Sequence, residues 1–326
     1  MSPEWTLIFN NTVNGIEVVY DYIYDHYIDI YYIEWLAWVF YPLVITFILP
    51  VAIVVLLYAS ALFLQLYKLR HLIRQAYGQD FWAGARQFLS IMWIAQGRIW
   101  FGHEIIGFDN IPNEGPAIII YYHGAVPVDF YYVLARVIVD KRRPVYAIGD
   151  RFLYKIPGFK TLMEVFNVLP GTVSRGVELM QQGQLLAIAP GGVREAYFSD
   201  EYYRLIWGKR IGFARIAVEA KVPVIPMFTQ NCREGFRALS IGRSWFLKVY
   251  EKTRLPIVPI YGMFPVKLRT FIGNPIFPDE SISAQQLANK VKYAIEELIK
   301  KHQVTPGNII RALAERFYTP DHCRAS

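Results

Sequence analysis

A histidine and a carboxylate stand close together in Tyr121-Tyr122-His123-Gly124-Ala125-Val126-Pro127-Val128-Asp129-Phe130, with five residues between them. An imidazole titrates near neutral pH, so it can take a proton from a hydroxyl while a neighbouring acid fixes its tautomer and stabilises the imidazolium. The chemistry on offer is general-base activation of an alcohol. Each residue also has a plainer reading, Asp129 as a helix cap and His123 as the filling of a polar turn.

The flanking residues supply the elements that would bring the pair together. Pro116-Ala117-Ile118-Ile119-Ile120-Tyr121 reads as a buried strand, and Pro127 suits the first position of a helix, where its missing N–H costs nothing. His123 then stands in a loop at the C-terminal edge of a sheet strand, and Asp129 falls at about the third helical position, where the helix dipole favours a carboxylate.

Three further segments fit the same edge. Ile148-Gly149-Asp150-Arg151 places a guanidinium after a strand. Ile188-Ala189-Pro190-Gly191-Gly192-Val193-Arg194-Glu195 follows a strand with a glycine pair whose backbone N–H groups could approach an oxyanion. Arg210-Ile211-Gly212-Phe213-Ala214-Arg215 leads through a helix into the next strand. Singly, these are equally a tight turn and ordinary ion-pair partners. Together they form a candidate site of His123, Gly124, Asp129, Arg151, Gly191, Gly192, Arg194, Glu195 and Arg210, with Arg215 beside it.

Strand signals near 103–108, 116–122, 144–149, 185–190, 223–230 and 265–273 alternate with helical stretches near 127–140, 152–165, 174–183 and 208–220. This alternation predicts an α/β fold, a mixed, mostly parallel sheet flanked by helices, whose ligands sit beyond the strand C-termini. Toward the end, Leu287, Val291, Ile295, Leu298 and Ile299 form one helical stripe and Ile309, Ile310, Leu313 and Phe317 another; both read as packing.

Trp35 to Tyr67 is a run of 33 residues without a charge, longer than the roughly 20 needed to cross a bilayer. An N-terminal transmembrane anchor is expected, as a single span or, with Pro42 and Pro50 available for bending, a hairpin. Residues 1–34 hold six acids and no Lys or Arg, whereas Lys68, Arg70 and Arg74 follow the apolar run. The positive-inside tendency therefore puts the large C-terminal part in the cytosol. The organisation expected is an acidic, aromatic segment at 1–34, the membrane segment at 35–67, a helical membrane-proximal region at 68–102 and one domain at 103–326.

The part after residue 67 carries 34 basic against 21 acidic residues, a formal +13. An anionic membrane surface or a phosphorylated co-substrate explains that balance; nucleic acid is excluded by the anchor and by the lack of any nucleic-acid-binding motif. The two cysteines, Cys232 and Cys323, fit a reducing compartment and are not spaced for zinc, so neither a metal nor a permanently bound cofactor is expected. No Gly-x-Ser-x-Gly, Walker lysine or His-Glu-x-x-His occurs, so serine hydrolase, NTPase and zinc protease readings lack their essential residues.

Taken in order, these blocks resemble the membrane-bound glycerolipid acyltransferase superfamily, over about residues 100–275. The resemblance implies that His123 activates an acceptor hydroxyl for attack on an acyl-CoA thioester, with Asp129 as the acid of the pair. That motif usually has four residues between His and Asp, so the extra residue must be absorbed before Pro127 if the two are to touch. Phosphate-acceptor members usually carry Glu-Gly-Thr-Arg where this chain has Gly191-Gly192-Val193-Arg194. Gly191-Gly192 with Glu195-Ala196, and Arg210-x-Gly212-Phe213, instead look like the diacylglycerol and monoacylglycerol acyltransferase group.

The resemblance therefore implies a neutral glycerolipid acceptor, acyl-CoA as co-substrate and triacylglycerol as product at the endoplasmic reticulum membrane. Backbone N–H groups at Gly191 and Gly192, with Arg194, would serve the oxyanion, and Arg151, Arg210 and Arg215 the phosphates of coenzyme A. A lysophospholipid acyltransferase is the alternative within enzymes. A non-catalytic lipid-binding protein is the alternative outside them.

Overall fold

The computed structural model describes residues 30–72, 82–253, 255–279 and 281–318. Most of the acidic, aromatic segment, Arg74 and Cys323 lie outside these residues. The chain divides into two units, Met1–Ile48 and Leu49–Ser326.

Helix α1 (Ile30–Leu72) is helical through both Pro42 and Pro50, and its stretch Glu34–Tyr67 is long and apolar enough to cross a membrane. In the first unit its side chains are largely exposed, Trp35, Trp38, Phe40 and Tyr41 among them. Within the second unit, Ile53, Ala61 and Leu64 are buried, and Gln65 donates to the Thr161 hydroxyl.

Helix α2 (Ala83–Phe101) precedes β1 (Glu104–Ile106), β2 (Ala117–Tyr121), α3 (Val128–Asp140) and β3 (Val145–Gly149). The helix expected at 152–165 is split into a 3-10 turn at Arg151–Lys155 and α4 (Phe159–Val165). Pro157 and Gly158, the latter at φ 80°, separate the two. Then come β4 (Val168–Pro170), α5 (Val173–Gln181), β5 (Leu185–Ile188), α6 (Gly192–Phe198), α7 (Gly212–Ala220) and β6 (Val224–Gln230). The chain ends with α8 (Cys232–Gly235), β7 (Phe236–Ala238), α9 (Arg243–Thr253), β8 (Ile260–Gly262), β9 (Arg269–Ile272), α10 (Ala284–His302) and α11 (Ile309–Ala314).

Seven strands form one sheet in the order β1-β9-β6-β2-β5-β3-β4, and every pairing but β6 with β9 is parallel. The expected α/β fold with a mixed, mostly parallel sheet is the fold observed. β2 is central and buried along its whole length. Its alternate residues Ile118 and Ile120 face one core, with Leu287, Val291 and Ile295 of α10, while Ile119 and Tyr121 face the other, with Leu64 of α1 and Phe130 of α3. A strand covered on both faces must be apolar throughout, which is why it reads as an unbroken run. The chain leaves β2, β3, β5 and β6 at one edge, and the candidate residues gather there.

Candidate active site

His123 follows the buried end of β2, where Tyr122 donates its hydroxyl to Ser199 Oγ at 2.9 Å. The His123 backbone N–H donates to Glu195 Oε1 at 3.0 Å, and ring Nδ1 lies 2.7 Å from the Gly124 carbonyl oxygen. A carbonyl only accepts, so Nδ1 carries the ring proton and Nε2 carries the lone pair. Burial lowers the imidazole pKa below its ordinary value, against the Gly124 bond, which raises it. The ring is thus neutral at physiological pH, with Nε2 ready to accept a proton.

Asp129 differs from expectation. Pro127 is the N-cap of α3, at φ −82° and ψ 50°, with no side-chain cap hydrogen bond, so Asp129 falls at the second helical position. Its carboxyl is buried, Oδ1 has no hydrogen-bond partner, and burial raises its pKa to about 6 against weaker opposition from the Thr229 hydroxyl and backbone amides. No hydrogen bond or ion pair joins it to the His123 ring. The Gly124 carbonyl holds the tautomer in place of the acid. Asp129 still acts on the same strand end: its charge and that of Glu195 both bear on Tyr121 and Cys232, and Gly124 packs on Cys232.

The glycine pair serves a different purpose from the one its sequence suggests. Gly191 is the N-cap of α6, and a Cβ there would lie 2.3 Å from the Glu195 carboxyl carbon. The position is bare so that Glu195 can fold back over it. Glu195 is fully buried; Oε1 takes the His123 N–H and Oε2 the Ile206 N–H, each at 3.0 Å. It clamps the His123 loop to the segment after α6. Burial raises its pKa to about 7, although both amide bonds and the charges of Arg233 and Arg210 pull the other way.

Gly192, at φ 51°, donates its N–H to Ala189 O and is thereby committed within the turn. Arg210 Nη1 donates to Gly191 O at 2.8 Å and Pro190 O at 3.1 Å, so the guanidinium braces the same turn. Arg194 points elsewhere, pairing with Glu251 of α9 at 3.0 Å beside an open cleft of about 720 Å³ that Ile206, Arg243 and Leu247 also line. Arg151 is exposed on its 3-10 turn. Lys209, Arg210 and Arg215 share a cavity of about 420 Å³ with Ile148, Pro190 and Gly212, at the ends of β3 and β5. The structure therefore joins His123, Gly124, Gly191, Glu195 and Arg210 in one hydrogen-bonded unit and leaves Arg151 and Arg194 outside it. Among the described residues no group of three His, Cys, Asp or Glu could hold a metal ion.

Sequence reasoning missed the residues that leave β6. Arg233 is buried; Nη2 donates to Ser199 O at 2.8 Å, and Nη1 reaches Tyr122 Oη and the carbonyls of Glu195 and Ala196. Ionic residues directly after a largely apolar strand, in Gln230-Asn231-Cys232-Arg233-Glu234, were the available signal. They sit at the same edge as His123.

Known proteins resemble this chain over most of its length. The family profile described as Acyltransferase matches residues 103–230. A protein of Homo sapiens named "DGAT1/2-independent enzyme synthesizing storage lipids" is 48% identical over 304 residues, 93% of this chain and 91% of that one. A Gallus gallus protein of the same name is 48% identical over 318 residues, 97% of this chain and 91% of that one. The crystal structure of the 1-acyl-sn-glycerophosphate acyltransferase PlsC from Thermotoga maritima superposes with a TM-score of 0.47 at 19% identity, over 76% of this chain and 95% of that one. On the family profile and the identity with these relatives over nearly their whole length, the chain belongs to the glycerolipid acyltransferase superfamily and is an acyltransferase.

Proposed function

We propose that this acyltransferase uses acyl-CoA to esterify the free hydroxyl of a neutral glycerolipid, diacylglycerol or monoacylglycerol, and so makes triacylglycerol. The observation that carries the reading is the His123 ring, neutral by burial, with Nδ1 held by the Gly124 carbonyl and Nε2 unoccupied. The acceptor oxygen attacks the thioester carbonyl carbon as Nε2 takes its proton. The tetrahedral intermediate then collapses, the C–S bond breaks, and the coenzyme A sulfur leaves with the proton returned from Nε2. Asp129 takes the electrostatic share, its carboxylate favouring the transient imidazolium without touching the ring.

Several features support the partners. Lys209, Arg210 and Arg215 around one cavity suit the phosphates of coenzyme A. The apolar pocket between Leu57, Trp93, Tyr131, Leu134 and Met163, which joins α1, α2, α3 and α4, suits the acyl chain. The 48% identity, over nearly the whole of both chains, with a relative named for storage-lipid synthesis favours a neutral acceptor, as does Arg194 being engaged by Glu251. With α1 as a single span, the domain faces the cytosol at the endoplasmic reticulum membrane.

The test is acyl transfer by purified protein from labelled oleoyl-CoA, with diacylglycerol and lysophosphatidate offered side by side. Labelled triacylglycerol that falls by about two to four orders of magnitude in His123→Ala is the expected result. Preferred labelling of lysophosphatidate would reject the neutral acceptor, and an unimpaired His123→Ala would reject the base.

A further inference from the structure

The helical stripe Ile309, Ile310, Leu313 and Phe317 reads in the sequence as packing, yet the structure packs only part of it. Leu313 rests against the core beside Phe101 and Ala312, whereas Ile310 is 79% and Phe317 91% exposed. No large apolar side chain among the described residues is more exposed than Phe317.

Helix α2 presents a matching face. Gly84, Phe88, Ile91, Ala95 and Ile99 follow one another at steps of three and four residues and are all exposed, an apolar stripe about 22 Å long. Its opposite side packs on α3 through Trp93 and through Gly97, which a Cβ would bring to 2.9 Å from the Tyr132 ring. The two faces meet at the end of α2. Arg316, next to Phe317, donates to the carbonyl oxygens of Ile99, at 3.2 Å, and Trp100, where a cation also opposes the negative end of the helix dipole. At its other end the stripe joins α1: Phe63 stacks on Phe88 with ring centroids 5.0 Å apart, beside exposed Leu62 and Leu66.

An exposed apolar face of this extent is unusual on a soluble surface and calls for an occupant. Its continuity with the membrane-length helix and the exposed Arg98 between its apolar positions match the headgroup level of a phospholipid bilayer. We propose that α2 and the C-terminal helix α11 form one lipid-contacting face, with Ile310 and Phe317 seated in the bilayer interface as a second attachment of the domain. This rests on α1 being embedded in the same bilayer. Because α3 starts beside the His123 loop, two attachments joined through α2 fix how the catalytic edge meets the membrane, which one helical tether would leave free to swivel.

The test uses the full chain carrying Cys323→Ser, reconstituted in phosphatidylcholine–phosphatidylserine vesicles. Single cysteines replace Phe317, Ile310, exposed Tyr293 of α10 as an aqueous control, and Val55 of α1 as an anchor control, each labelled with an environment-sensitive fluorophore. Unchanged thermal unfolding confirms the fold of each. Labels at 310 and 317 should resist aqueous iodide severalfold better than the label at 293 and should be quenched by lipids carrying a nitroxide near the headgroup. Iodide access equal to that at 293 overturns the proposal, and so does shielding without lipid quenching, which marks a protein cover. Quenching by lipid at 55 but not at 317 refutes the second attachment alone, whereas its loss at both refutes the embedded α1.

Discussion

Replacing Glu195 by Gln separates what this carboxylate does for folding from what it does for turnover. The side chain accepts two backbone N–H groups, one from the loop at His123 and one from Ile206. A glutamine offers one oxygen, so one of these amides is left facing an NH2 group, and a lost hydrogen bond to a charged acceptor costs about 1.5–3 kcal/mol. The burial that raises the Glu195 pKa from 4.5 to about 7 disfavours its charged form by roughly 3 kcal/mol, and the neutral amide escapes that term.

The two contributions nearly cancel in global stability above pH 7 and do not cancel in the order of the loop. If loop order is expressed in the transition state, kcat for acyl transfer falls by about 10- to 100-fold, since each 1.4 kcal/mol is tenfold. The acceptor KM should hold, because the buried carboxylate has both oxygens engaged by backbone amides. Stability should follow pH in a defined direction. A carboxyl whose folded pKa is raised contributes fully below about 4.5 and loses that contribution as pH rises through about 7, so wild type weakens across this window relative to Glu195→Gln. The measurements are steady-state acyl transfer in vesicles and thermal unfolding at pH 5 and 8. A variant that turns over within twofold of wild type would show that the clamp does not position His123.

Asp129→Asn should gain stability over wild type as pH rises through about 6, by at most on the order of 3 kcal/mol, and match it below about pH 4, because the buried acid's pKa is raised. In the same variant, loss of the nearby negative charge should move the acid limb of the rate profile to lower pH; a limb that stays put would exclude electrostatic action on His123. Gly191→Ala should cut activity to about the extent of Glu195→Gln, since its Cβ would occupy the carboxyl's place, and an alanine variant with wild-type kcat would show that Glu195 can shift freely. Charge reversal at Arg215 should raise KM for acyl-CoA several-fold while leaving KM for the acceptor unchanged, and equal effects on both would remove the cavity as the coenzyme A site.

Much of the fold was legible because its signals are local. β2 and β6 are fully buried runs, α10 shows its stripe of Leu287, Val291, Ile295 and Ile299 after the Ser283 capping box, and these alone imply a covered α/β sheet. The short strands β4, β7 and β8 and helices α6 and α9 escaped notice: strands of three residues are too brief to show a period, and α9 buries only Tyr250, so no apolar stripe marks it.

The same division runs through the site. Residue types and order alone determined that His123 stands at a strand exit, that a glycine turn and arginines share its edge, and that a membrane-length helix comes first, because each depends on neighbours a few positions away. Only the tertiary structure decided that the Gly124 carbonyl rather than Asp129 holds the ring, that Glu195 is a clamp, and that Ile310 and Phe317 point outward. The clamp depends on a contact across 72 residues and the placement of Phe317 on one across 217, while Asp129 depends on one residue of register at Pro127. A hydrogen bond between such distant positions exists only once the sheet has set their separation, and nothing in the spacing along the chain encodes its direction.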